Sequence, residues 1–179
     1  MKYNPEIHDR RSMRLRGYDY SQEGAYFITI CCRAQKCFFG EIKNEEMLPN
    51  EIGKIAHENL REIPIHFPHV EMGSFVVMPN HVHCILILGA HHDDDEESRQ
   101  EVAVPKTNRF GKPISGSVSV IINHYKSSVK KWCNRNGRQF FSWQSRFHDH
   151  IIRSEQTYDI ISEYILNNPL NWNSDKFIM

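Results

Sequence analysis

Two histidines, His81 and His83, stand two residues apart in the otherwise apolar run VVMPNHVHCILIL, Val76 to Leu88. In a β-strand, residues i and i+2 point to one face, so the two imidazoles project together while Val82 and Cys84 face the other way. Neutral imidazole is the commonest nitrogen ligand for divalent metals, and two on one face supply part of a metal shell. The same spacing also suits two half-buried histidines that bind nothing. A second alternating pair, His148 and His150, flanks Asp149 in RQFFSWQSRFHDHIIR. That pair suits a contact to nucleic acid, support of the last helix, or plain packing. HHDDDEE, starting at His91, mixes metal-capable side chains, but consecutive residues of a polar loop do not converge easily on one ion. It reads as a solvated loop.

These residues need elements to hold them. AYFITICC, Ala25 to Cys32, is aromatic and β-branched and reads as a buried strand. CFFGEIKNEEMLPN carries hairpin turn signals. Ile52, Ile55, Ala56, Leu60 and Ile63 then fall at helical spacing, with Pro64 expected to close that helix. HVEMGSFVVM and HVHCILIL read as two strands joined tightly through Met78, Pro79 and Asn80. A long polar loop follows, about 89–112. Val118, Ile121, Ile122, Tyr125, Val129 and Trp132 form one apolar helical stripe, with Ser115 or Ser117 available as N-cap. FFSWQSRFHDHIIR reads as a short strand leading to a last helix, about 155–168, ended by Pro169. The order strand, helix, strand, strand, helix, strand, helix predicts an α+β, ferredoxin-like sandwich whose helices lie mainly on one face of an antiparallel sheet.

A chain of 179 residues with 40% hydrophobic and 11% aromatic content suits one domain, 1–179. No apolar run approaches membrane-spanning length and no signal-peptide core opens the chain, so a cytoplasmic protein without membrane contact is expected. Five cysteines without a C-x-x-C pair argue against a disulfide framework or a cysteine zinc site. The formal net charge of zero is an average over segregated charges. His91 to Glu101 holds six acidic residues against Arg99, whereas Ala103 to Arg153 holds ten Lys and Arg against Asp149. An N-terminal arm, about 1–24, is also basic and includes Arg14 and Arg16. Lys126, Lys130, Lys131 and Arg135 lie on the polar face of the long helix, as a nucleic-acid footprint or a solvated face would. Phe140, Phe141, Trp143 and Phe147 interleave with Arg138 and Arg146, a composition suited to base stacking or to core packing.

MPNHVHCILIL resembles the histidine, hydrophobic residue, histidine motif of the single-tyrosine HUH transposases, and specifically the REP-associated tyrosine transposases. RRSMRLRGYDYSQEGAYFITICC, FFSWQSRFHDHIIR and YILNNPLNW resemble the same group, so the likeness runs from about Arg10 to Trp172. It implies the HUH nuclease fold, an RRM-like sheet. It implies a divalent metal, magnesium or manganese, held by His81 and His83, and a tyrosine that attacks single-stranded DNA at or beside hairpins to give a 5′-phosphotyrosine link. Tyr164 and Asn168 are spaced i, i+4 in the last helix; the resemblance makes Tyr164 the nucleophile and Asn168 the amide that completes the metal shell. Tyr158 is the weaker candidate, and Tyr125 belongs to an apolar stripe. DNA contacts are expected from Lys126, Lys130, Lys131, Arg135, Arg14 and Arg16, in a nucleoid-associated monomer or homodimer. A non-catalytic hairpin-binding protein of the same fold is the alternative. A histidine-triad hydrolase would want a further alternating histidine where Ile85 stands.

Overall fold

The computed structural model describes residues 18–90 and 114–174. Arg14, Arg16 and the acidic tract lie outside the described residues. Along the chain come β1 (Gly24–Cys31), a hairpin of β2 (Gly40–Lys43) and β3 (Glu46–Pro49), α1 (Glu51–Arg61), a short α2 (Ile63–His66), β4 (Val70–Val77) and β5 (His81–Leu88). After them come α3 (Val118–Arg135), β6 (His148–Ile152) and α4 (Glu155–Leu166). The main sheet runs β4-β5-β1-β6 with every pair antiparallel. β1 is thus inserted between the β4–β5 hairpin and β6, the arrangement of a ferredoxin-like α+β sandwich.

Strand alternation sorts the side chains into two layers. Tyr26, Ile28 and Ile30 of β1 join Val82, Cys84 and Leu86 of β5 in one buried cluster beneath α1 and α3. From α3 that cluster takes Val118, Ile121, Ile122, Tyr125, Val129 and Cys133. The Tyr125 hydroxyl donates to the Ala56 carbonyl at 3.1 Å, tying α3 to α1. Burial raises the Tyr125 phenol well above its ordinary pKa, so it stays neutral in the core. No cysteine is in a disulfide. Burial pushes the Cys84 thiol up to about 12, which leaves it an inert apolar filler.

Local chemistry sets the boundaries. The Asn50 side chain accepts from the Gly53 amide and caps α1. Pro64 does not simply close that helix: it occupies the first turn of α2, where its missing N–H costs no bond. Ser117 takes the N-cap position of α3, but its side chain makes no capping bond. Asn44 and Glu45, both at positive φ (51° and 64°), turn the β2–β3 hairpin as a two-residue primed turn.

α4 lies on the other face of the sheet, chiefly over β4 and reaching β5 and β6. Ile165 packs there with Ile85 and Ile152, flanked by Phe27, Val76, Tyr158 and Ile161. Two long helices therefore cover one face and the third covers the other. Gly73, beside a bulge in β4, lets α4 approach: a Cβ at that position would stand 2.7 Å from the Tyr158 hydroxyl and 3.1 Å from Ile85 Cβ. Among the described residues no helix is long and apolar enough to cross a membrane. Gly73→Val should lower the unfolding free energy in urea by about 1–3 kcal/mol through overpacking. Tyr158→Phe in that background should recover part of the loss; strict additivity of the two changes would show that they do not meet.

Candidate active site

β5 enters the sheet so that His83 lies directly opposite Thr29 of β1, and His81 opposite Cys31. Both histidines are buried, at 0% and 1% exposure, on the face that α4 covers. Their rings lie 4.5 Å apart. Buried imidazoles need partners, and neighbouring side chains supply them. His81 Nδ1 meets Asn80 Oδ1 at 2.7 Å, and His83 Nδ1 meets Thr29 Oγ1 at 2.8 Å. An amide oxygen only accepts, so the proton of His81 sits on Nδ1 and its Nε2 carries the lone pair. The Thr29 hydroxyl, which can donate or accept, is the partner of His83 Nδ1. Phe27 lies against the His83 ring with centroids 5.2 Å apart.

α4 brings the tyrosine. Its N-cap is Ser154, whose hydroxyl accepts from the Thr157 amide, and Ile165 anchors its C-terminal turn in the sheet. This mounting leaves Tyr164 38% exposed, with its hydroxyl 3.4 Å from His83 Nε2 although the two residues are 81 positions apart. The edge of its ring meets Phe27 at 6.2 Å and 89°. Tyr158 lies over Gly73 instead, and Tyr125 is in the opposite layer.

Asn168 departs from the expected helical spacing. α4 ends at Leu166, Asn167 is its C-cap, and Asn168 lies in the turn beyond. The following Pro169 disfavours helical geometry at the residue before it. Asn168 is nonetheless 1% exposed, and its Oδ1 is a buried acceptor with no hydrogen-bond partner among the described residues. Four residues on, Trp172 stacks over His81 at 6.3 Å and 24°. Tyr164 thus reaches one histidine and Trp172 the other, with Asn168 buried on the chain between them. Thr29, Asn80 and Trp172 escaped the sequence reading, though Thr29 is the lone polar side chain in the β1 run YFITIC and Asn80 directly precedes His81.

The donor set fits a divalent cation. Two neutral imidazoles with their Nδ1 atoms tied to neighbours match the usual mounting of metal-ligating histidine. The buried Asn168 amide oxygen, without a partner among the described residues, would offer such a pair a third donor. Among the described residues no group of three His, Cys, Asp or Glu side chains is arranged to hold a metal, so this set depends on the amide. A pocket of about 190 Å³ opens beside Tyr164, bounded by His83, Thr29 and Phe27 on one side and by His148, Asp149 and His150 of β6 on the other.

The basic residues of α3 stand elsewhere. Lys126, Lys130, Lys131 and Arg135 line a groove of about 690 Å³ with Trp143 and Ser145, on the sheet face opposite the histidines. Lys126 Nζ donates to the Gln144 carbonyl at 2.7 Å, and Lys130 Nζ donates to those of Gln139 and Phe141. Burial lowers the Lys126 pKa, as expected for an ammonium drawn into a loop. Two of the four cations therefore fasten the segment that follows α3. Of the aromatics there, Phe141 is core, Trp143 donates its Nε1–H to the Lys126 carbonyl, and Phe140 is 62% exposed.

No protein-family model matches the chain. An uncharacterized protein of Haemophilus influenzae is 39% identical over 179 residues, a match that covers 98% of this chain and 96% of that protein. Among solved structures, a REP-associated tyrosine transposase bound to a REP hairpin is similar with a TM-score of 0.57 and 23% identity, covering 91% of this chain and 76% of that one. A candidate transposase of Deinococcus radiodurans R1 has a TM-score of 0.45 and 17% identity, covering 86% of this chain and 95% of that one. The chain belongs to the family of the Haemophilus influenzae protein, and its α+β fold is that of the REP-associated tyrosine transposase.

Proposed function

We propose that this protein cleaves and rejoins single-stranded DNA beside hairpins, with Tyr164 as nucleophile and His81, His83 and Asn168 as the metal-binding residues. The observation that carries the reading is the 3.4 Å approach of the Tyr164 hydroxyl to His83 Nε2, across the contact between α4 and the sheet. A core tyrosine has no reason to place its hydroxyl there while 38% of the residue stays open to solvent. A phenol with a reference pKa of about 10 is a weak nucleophile at neutral pH. A divalent ion, magnesium or manganese, would supply charge neutralisation at the scissile phosphate. Phe27 and His83 hold the phenol ring from two sides, which fixes the oxygen for in-line attack. The Tyr164 oxygen forms a bond to phosphorus and its proton passes to water. The P–O3′ bond breaks, and the leaving 3′ oxygen takes the electron pair and a proton from water. A second 3′ hydroxyl reverses the step on another end, so one phosphodiester is exchanged for another without an external energy source.

The α3 groove offers a second surface for the same substrate, with Lys131 and Arg135 spaced to contact successive phosphates and Phe140 exposed nearby. The nucleic acid bound by the solved transposase is a REP hairpin, and a stem with a single-stranded extension suits a protein with a basic groove on one face and a tyrosine pocket on the other. The non-catalytic alternative shares that groove but gives no reason for the tyrosine placement.

Incubation with labelled hairpin oligonucleotides carrying single-stranded flanks, with magnesium or manganese, should yield a denaturant-resistant protein–DNA adduct. It should vanish with chelator and in Tyr164→Phe; an adduct retained by that variant would remove Tyr164 as nucleophile, and binding with no adduct from the wild type would favour the alternative. Lys131→Ala with Arg135→Ala should weaken hairpin binding at every sequence and lower the slope of log K against log salt by about 2. An unchanged slope would make that face an ordinary solvated one. Lys130→Ala should mainly loosen the 139–145 segment, seen as faster amide exchange there.

A further inference from the structure

β6 places two more imidazoles on the active-site face. Thr29, whose hydroxyl meets His83 Nδ1, is paired on its other side with His148, so His83, Thr29 and His148 form one row across three strands. Phe27, which the Tyr164 ring touches, is paired with His150 in the next row. Asp149 also borders the pocket, but it alternates with them and pairs with the core residue Ile28, so strand alternation turns its side chain toward the other face. Tyr164 stands over the gap between these rows, and the pocket of about 190 Å³ is the space between its ring, His83 and the two β6 histidines. That space is the right size for one phosphodiester group and too small for a base pair. It is walled on one side by His83, Thr29 and Phe27 and on the other by the β6 residues 148–150.

We propose that His148, with His150 beside it, forms a phosphate-binding subsite that holds a non-bridging oxygen of the scissile group on the side away from His81 and His83. This rests on the reading of Tyr164 as nucleophile. Attack on phosphorus concentrates charge on the non-bridging oxygens, and a fixed N–H donor aimed at one of them is worth more in the transition state than in the ground state. A neutral imidazole carries one N–H and is sufficient. Thr29 is shared between His83 and His148 in the strand ladder, so the two walls of the pocket are set at a constant spacing by the backbone. The other imidazole pair, His66 with His124 at 4.8 Å, is two exposed rings and points to no ligand.

The test has two arms. In single-turnover adduct formation, His148→Ala should slow the chemical step about a hundredfold while the hairpin dissociation constant changes little, and His148→Gln, which keeps an N–H, should recover part of the rate. Replacing one non-bridging oxygen at the scissile position by methyl should cost the wild type heavily in one diastereomer and cost His148→Ala much less in that same diastereomer. Equal cost in both proteins for both diastereomers would overturn the contact and leave His148 a strand residue. The second arm needs no cleavage. Tyr164→Phe protein should bind a 5′-phosphorylated oligonucleotide more tightly than its 5′-hydroxyl counterpart, and adding His148→Ala should remove that preference. A preference that survives the substitution, or none at the outset, overturns the subsite, while loss of the wild-type adduct alone would overturn only the reading of Tyr164.

Discussion

Thr29 and His83 face each other across the two central strands, and the 2.8 Å contact between the Thr29 hydroxyl and His83 Nδ1 is set by that register. Slipping β5 by one residue against β1 would send His81 and His83 into the layer under α1 and α3 and bring Val82 and Cys84 out beneath α4. Two imidazoles, the Thr29 hydroxyl contact and the tyrosine contact depend on this pairing, while β6 sets His148 and His150 by its own register on the other edge of β1. Ile28, Ile30, Val82 and Leu86, all 0% exposed, hold the register from behind. Burying each such side chain contributes about 1.5–3 kcal/mol, far more than any one polar contact on the site face.

The site face is where the fold tolerates disagreement with its own rules. Two histidines and an asparagine are nearly inaccessible there, and an amide oxygen with no partner among the described residues costs about 1–3 kcal/mol. Apolar residues at those positions would pack more favourably. α4 offsets the cost with Ile161 and Ile165 against Ile85 and Ile152, and Gly73 lets the helix sit close enough to do so. The same helix therefore carries both the anchor and the tyrosine. Ile161 stands three positions after Tyr158 and Tyr164 three positions after Ile161, so the helix turns from the packed edge at β4 to the open pocket at β5 and β6.

Much of this was legible in the sequence. The His81 and His83 alternation, the order of elements along the chain and the α3 stripe follow from periodicities that depend only on near neighbours. That stripe also puts Tyr125 in the core, where the structure has it. What stayed hidden was tertiary. An apolar face on α4 does not say which side of the sheet it covers, so nothing local reveals that it opposes α1 and α3. Thr29 matters through a partner 54 positions away, and the end of α4 two residues before Asn168 follows from Pro169 and the Asn167 cap together. Lys126 and Lys130 look like solvated cations until the carbonyls of residues 139–144 fold back onto them.

The central claim is that His81, His83 and Asn168 form one divalent-ion site against Tyr164. Pulsed electron paramagnetic resonance of Mn²⁺ added to the purified protein tests it without any DNA. The wild type should show modulation from two imidazole nitrogens; His81→Ala and His83→Ala should each leave one, and Asn168→Ala should keep both while weakening Mn²⁺ affinity about tenfold or more. Bound Mn²⁺ with no imidazole coupling, or coupling that survives both histidine substitutions, would contradict the account.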